Sequence, residues 1–151
     1  MDKKLFALHW KKGKSWEITT KPGTHNVAIS PSGDYFLDQW SAKDTPHKIE
    51  LIDQKGNVKN TLLTADDPLD AYENTKVEIW TINAADEKTD LYYRMIKPHD
   101  FDASKKYPVV VYVYGGPHAQ LITNSYRSGA SLWMHWMAEQ GYIVFTVDGR
   151  G

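Results

Sequence analysis

Two apolar runs, Val109-Val110-Val111-Tyr112-Val113 and Ile143-Val144-Phe145-Thr146-Val147, constrain the fold more than any other feature of the chain. Neither alternates apolar with polar residues, so each predicts a strand buried on both faces of a parallel sheet. Each run then empties into glycine: Tyr114-Gly115-Gly116-Pro117-His118 after the first, Asp148-Gly149-Arg150-Gly151 after the second. Loops that leave the carboxyl ends of strands form the functional edge of an open α/β sheet, and both glycine-bearing loops belong there. Between the runs, Leu132, Trp133, Trp136, Met137 and Gln140 recur at helical spacing within residues 130–140, and Gly141 stands where a helix is capped. Strand, loop, helix, strand predicts a right-handed βαβ unit. One crossover helix cannot cover both faces of such a sheet, so the chain reads as a truncated piece of a larger fold. An edge hairpin with a long connection is the plainer alternative, against which the lack of alternation argues.

The first sixty residues follow a different pattern, of short strands separated by turn chemistry. Leu5 to Leu8 and Trp16 to Thr20 flank Lys11-Lys12-Gly13-Lys14, Val27 to Ile29 and Tyr35 to Trp40 flank Ser30-Pro31-Ser32-Gly33-Asp34, and Ile49 to Ile52 precedes Asp53-Gln54-Lys55-Gly56. This predicts an all-β meander, compatible with a sandwich, a barrel or propeller blades. Asp66-Asp67-Pro68-Leu69-Asp70 breaks the pattern as a connection. Val77 to Ile82 and Leu91 to Ile96 then predict a hairpin around a polar turn, closed by Lys97-Pro98.

Charge and composition exclude several classes of function. A net charge of -1 gives no electrostatic reason to expect nucleic acid or an anionic membrane as partner. No apolar run approaches the roughly 20 residues of a membrane-spanning helix. With no cysteine there is neither a disulfide framework nor thiolate chemistry, which leaves the compartment open, a bacterial periplasm or cell envelope included. His9, His25, His47, His99, His118 and His135 show no metal-ligand spacing, so neither a metal nor another cofactor is expected. The six tryptophans read as packing rather than a sugar platform. Ser131, in Gly129-Ala130-Ser131-Leu132-Trp133, lacks the second glycine of a nucleophile elbow and reads as a helix-start residue. Asp148, before glycine at a strand end, reads as a structural brace of its own turn, and Arg150 is expected to pair with a carboxylate outside the chain. Tyr114 is open to two readings, a core aromatic that ends a strand or a hydroxyl donor at the functional edge.

The order Val77-Glu78-Ile79-Trp80, Tyr92-Tyr93-Arg94-Met95-Ile96-Lys97-Pro98, Phe101-Asp102, Lys105-Lys106-Tyr107-Pro108, Tyr112-Val113-Tyr114-Gly115-Gly116-Pro117 and Asp148-Gly149-Arg150-Gly151 resembles the entry into the catalytic domain of the prolyl oligopeptidase family, in its dipeptidyl peptidase IV branch. Upstream, Ser30-Pro31-Ser32-Gly33-Asp34-Tyr35, Ser41, Pro46 and Gly56 resemble the closing blades of that branch's eight-bladed propeller. The resemblance implies a mixed β and α/β fold. Residues 1–74 would end a β-propeller, with its strands in about 1–64, and residues 75–151 would begin an α/β-hydrolase sheet. It implies a serine peptidase that releases N-terminal dipeptides with proline or alanine second. It also implies that Tyr114 donates its hydroxyl to the oxyanion, with Gly115 and Gly116 letting the backbone turn close to substrate and Pro117 stiffening the exit, while His118 stands near by. The chain has no Gly-x-Ser-x-Gly, and the family's serine, aspartate and histidine fall outside it, as do its substrate-binding glutamates. The chain alone is therefore expected to be inactive, and its bare sheet edges to make it a homo-oligomer. Short turns and the absence of glycosylation acceptors lean towards a bacterial source. The competing class is a non-enzymatic β-rich module that binds a peptide or glycan through its aromatics.

Overall fold

The computed structural model describes residues 2–72, 75–116 and 118–150. They form two compact units, one of residues 1–67 with 124–127, the other of residues 68–123 with 128–151.

In the first unit, β1 (Phe6–His9) and β2 (Lys14–Glu17) form a hairpin, while β3 (Thr24–Ile29), β4 (Tyr35–Ala42), β5 (Thr45–Asp53) and β6 (Val58–Thr64) form an antiparallel meander in chain order. The turns do what their residues dictate. Between β3 and β4, Ser30 Oγ accepts the Tyr35 amide at 3.1 Å and Gly33 takes a left-handed φ of 76°. Between β5 and β6, Asp53 Oδ1 accepts the amides of Lys55 and Asn57 at 2.8 and 2.9 Å. Gly56 is required twice over there: its φ is 81°, and a Cβ would lie 2.2 Å from the Ile18 carbonyl oxygen. Ile18, Phe36 and Ile52 make the core, each contributing about 1.5 to 3 kcal/mol by its burial. β5 starts at Thr45, ahead of the expected Ile49, and β6 was not anticipated because Val58-Lys59-Asn60-Thr61 carries almost no apolar signal. Its every residue is exposed.

In the second unit, β7 (Lys76–Asn83), β8 (Asp90–Lys97), β9 (Val109–Tyr112) and β10 (Ile143–Val147) form a sheet in the order β7-β8-β10-β9, with α1 (Leu132–Glu139) between β9 and β10 in sequence. The strand, loop, helix, strand order is present, and β9 and β10 are parallel, in the register Val110 to Val144 and Tyr112 to Thr146. β10 also pairs antiparallel with β8, so the sheet is mixed rather than parallel throughout. Gly141, at φ 86°, caps α1 as expected. Its amide reaches the Ala138 carbonyl at 2.9 Å and the next amide, Tyr142, reaches Met137 at 3.3 Å, the double bond of a left-handed helix end.

Two burial expectations need correction. Val109 and Val111 are 55% and 60% exposed because they share the face of β9 opposite the one on which Val110 packs with Met134 and Ala138 of α1, and among the described residues no second helix covers it, while β10 alternates between buried and half-buried positions. In α1 the tryptophan stripe is not the core face. Leu132, Trp133 and Trp136 point outward, whereas Met134 and Ala138 pack on Ile96 and Val144. The small Ala138 lets the helix backbone approach the sheet, a reason for that face which a count of large apolar residues does not register.

Candidate active site

Tyr114 stands two residues past the end of β9, in the loop that leaves the carboxyl end of that strand, and is 63% exposed. Its ring lies over Gly116. A Cβ on Gly116 would come within 2.8 Å of Tyr114 Cε1 and 3.0 Å of its hydroxyl, so the second glycine leaves room for the phenol. Neither Gly115 nor Gly116 takes a left-handed φ, and the Gly116 carbonyl accepts the Ala119 amide at 3.2 Å. His118 does take one, at 61°, and is exposed. Pro117 lies outside the described residues.

Asp148 reaches a second loop. Its carboxylate accepts the amide of Leu121 at 2.8 Å and that of Ile122 at 3.1 Å, tying the far end of the Tyr114 loop to the end of β10. Arg150 finds its carboxylate within the chain, in Asp86 of the β7–β8 turn at 3.2 Å.

The sequence reading passed over Arg94, which is 1% exposed in the middle of β8. Its Nη1 donates to the carbonyls of Ser128 at 2.6 Å and Leu121 at 3.3 Å, and its Nη2 to Thr146 Oγ1 at 3.3 Å and Met134 Sδ at 3.3 Å. Burial pulls the guanidinium below its ordinary value, opposed by the nearby Asp148 carboxylate. An arginine so placed still keeps its charge. The signal was legible in principle: Tyr92, Arg94 and Ile96 share one face of β8 by the period of two, which sets a charge among core positions. The carbonyl that Arg94 holds most tightly belongs to a strained turn. Arg127, Ser128 and Gly129 have φ of 53°, 59° and 71°, and a left-handed residue with a side chain costs about 1 to 2 kcal/mol.

No family model matches the chain. Over 149 residues it is 32% identical to human dipeptidyl peptidase 8, an alignment that covers 92% of this chain and 16% of that protein. Over 108 residues, 71% of this chain and 13% of the relative, it is 35% identical to human prolyl endopeptidase FAP. The crystal structure of a Bacteroides ovatus protein assigned as a dipeptidyl aminopeptidase IV superposes with a TM-score of 0.89 at 46% identity, over 96% of this chain and 21% of that one. The chain is a dipeptidyl peptidase IV-type stretch of the prolyl oligopeptidase family. It spans about an eighth to a fifth of the length of these relatives.

Within this dipeptidyl peptidase IV-type stretch no nucleophile elbow occurs. Ser131 is the N-cap of α1, with extended φ and ψ of -80° and 156°, and its carbonyl accepts the Met134 amide at 3.0 Å. His135, one helical turn on, is buried with Nδ1 at 2.6 Å from Thr75 Oγ1. His25 is buried against Asp38, and His99 binds Glu139. Among the described residues no group of three or more His, Cys, Asp or Glu gathers as a metal site.

Proposed function

We propose that this stretch serves a serine exopeptidase that releases N-terminal dipeptides with proline or alanine second, and that Tyr114 supplies one of its oxyanion donors. The observation that carries the reading is the position of Tyr114: an exposed phenol at the carboxyl end of a parallel strand, in the Tyr-Gly-Gly-Pro order, within a chain homologous to dipeptidyl peptidases. A neutral phenol donates to an alkoxide without losing its own proton at neutral pH. On this reading the first unit is closing propeller blade, the second is the opening of an α/β-hydrolase sheet, and the nucleophile and base come from elsewhere in the full-length protein. The higher identity to the Bacteroides protein than to the human one supports a bacterial source. The exposed apolar edge at β9 supports self-association of the 151-residue chain, which light scattering over a dilution series tests.

The experiment compares the full-length protein with the 151-residue chain on chromogenic Gly-Pro and Ala-Pro substrates. The full-length protein releases the chromophore and the chain does not, because an oxyanion donor without a nucleophile has no covalent step to stabilise. Turnover by the purified chain that disappears on Ser131→Ala would overturn the proposal. So would a full-length protein that binds peptides and cleaves none, the behaviour of a non-enzymatic binding module.

A further inference from the structure

The loop that carries Tyr114 is fixed at both ends to one short piece of β10, by residues with no part in the chemistry so far. At its start, Tyr112 pairs with Thr146 in the parallel ladder. At its return, Asp148, two residues beyond Thr146, holds the amides of Leu121 and Ile122. Arg94 stands opposite Thr146 in the antiparallel ladder, binds its hydroxyl, and takes the carbonyl of the same Leu121 whose amide Asp148 holds. Both peptide groups that flank Leu121 are therefore gripped by buried charged side chains, and a second bond from Arg94 at 2.6 Å holds Ser128 in its left-handed turn. Hydrogen bonds with one ionised partner are roughly twice as strong as neutral ones, and a loop whose ends meet on one strand has few conformations open to it. Tyr114 itself is exposed, so its place follows from the loop's two ends and the ring's contact with Gly116 rather than from burial.

We propose that Asp148 and Arg94 are positioning residues for Tyr114: by fixing the return of the loop at Leu121 they set the phenol where it meets the developing oxyanion. The inference rests on the oxyanion reading of Tyr114. Asp148→Asn tests it sharply, because the amide side chain can accept one of the two backbone amides but turns an N–H towards the other. Arg94→Lys keeps the charge and loses the fork that reaches Leu121 and Ser128 together.

The test is a double-mutant cycle in the full-length protein, with kcat and KM measured on the Gly-Pro substrate and folding checked by circular dichroism melts. Each of Asp148→Asn and Arg94→Lys lowers kcat about ten- to a hundredfold while KM stays within about threefold, the effect of a group displaced by about an ångström. In a Tyr114→Phe background the same substitutions lower kcat by less than about threefold, since the donor they position is gone. A clamp that serves only stability would lower the melting temperature and leave kcat of the folded enzyme unchanged, and that result overturns the proposal. Losses that multiply independently of Tyr114→Phe overturn it too. If Asp148→Asn does not fold, Arg94→Lys carries the cycle alone with the same two outcomes. A Tyr114→Phe enzyme with undiminished kcat removes the oxyanion reading itself and this inference with it, an outcome distinct from additive losses.

Discussion

Arg94 in the second unit and His25 in the first are both buried cations, and they are neutralised by different kinds of partner. His25 is 3% exposed, with Nδ1 at 2.8 Å from Asp38 Oδ2 and Nε2 at 3.0 Å from the Lys21 carbonyl. Both partners are acceptors, so both ring nitrogens carry hydrogen and the ring is an imidazolium. It stacks on Trp40 at 5.5 Å, whose indole N–H donates to Glu50, and Glu50 in turn takes Lys21. Every charge in that cluster meets a side chain of opposite sign, and the cluster closes on itself around one sheet. Arg94 instead spends its donors on neutral acceptors, two of them carbonyls of the segment that follows the Tyr114 loop. Asp148 balances its charge from a distance and spends its own oxygens on backbone amides of that segment. A self-contained ion cluster organises a core. A buried charge whose partners are loop backbone holds the loop, and such a charge is worth looking for beside a functional edge.

That contrast can be broken most forcefully at Arg94. Arg94→Leu strands two carbonyls and leaves Asp148 without its counter-charge, and should destabilise the second unit by on the order of 3 to 5 kcal/mol, read as lost amide protection in β8 and β10 by hydrogen exchange. Asp38→Ala should cost the first unit less, about 2 to 3 kcal/mol, because the stranded imidazolium can shed its proton where a guanidinium cannot. A loss as large as that of Arg94→Leu would show that the two sites are equivalent.

The pH response sharpens the same difference. Burial opposes the charge on His25, but the Asp38 carboxylate and the Lys21 carbonyl outweigh it and raise its pKa above the ordinary histidine value, with Lys4 acting weakly against them. A raised folded value means that the stabilisation is complete below about pH 6.5, the unfolded value, and is lost as pH rises through the folded one. Hydrogen exchange in β3 and β4 should therefore weaken across that window in wild type and not in Asp38→Asn, while β8 and β10, organised by an arginine, hold steady. Nuclear magnetic resonance of the His25 ring nitrogens checks the charge directly. The smallest effect belongs to the exposed pair of Arg150 with Asp86, where Arg150→Ala should change stability by under about 1 kcal/mol in chemical denaturation.

Much of this was legible in the sequence where local chemistry decides. Ser30 to Gly33, Asp53 to Gly56 and Gly141 specify their turns through short-range hydrogen bonds and left-handed glycines, and β3, β4 and α1 lie beside those signals, whereas β6, with little apolar signal of its own, did not stand out. The helix face was misread because large apolar residues were weighted over Ala138, whose value lies in being small. The bare face of β9, with Val109 and Val111, follows from the single helix α1 covering only the other face, which the one crossover helix in the sequence already implied. Tyr114 stood between a core aromatic and a hydroxyl donor on its residues alone, and the resemblance of its Tyr-Gly-Gly-Pro order favoured the donor. Arg94 and the true partners of Asp148 stayed hidden because they bind backbone more than twenty residues away in sequence, and backbone acceptors leave no mark in side-chain patterning.

The measurement that bears most directly on the function is the kinetics of Tyr114→Phe in the full-length protein, on the Gly-Pro substrate. The oxyanion reading predicts a folded enzyme whose KM is nearly unchanged and whose kcat falls on the order of a hundred- to a thousandfold, the usual loss for one oxyanion donor. A kcat within about threefold of wild type together with a raised KM would contradict it and make Tyr114 a residue of binding or packing.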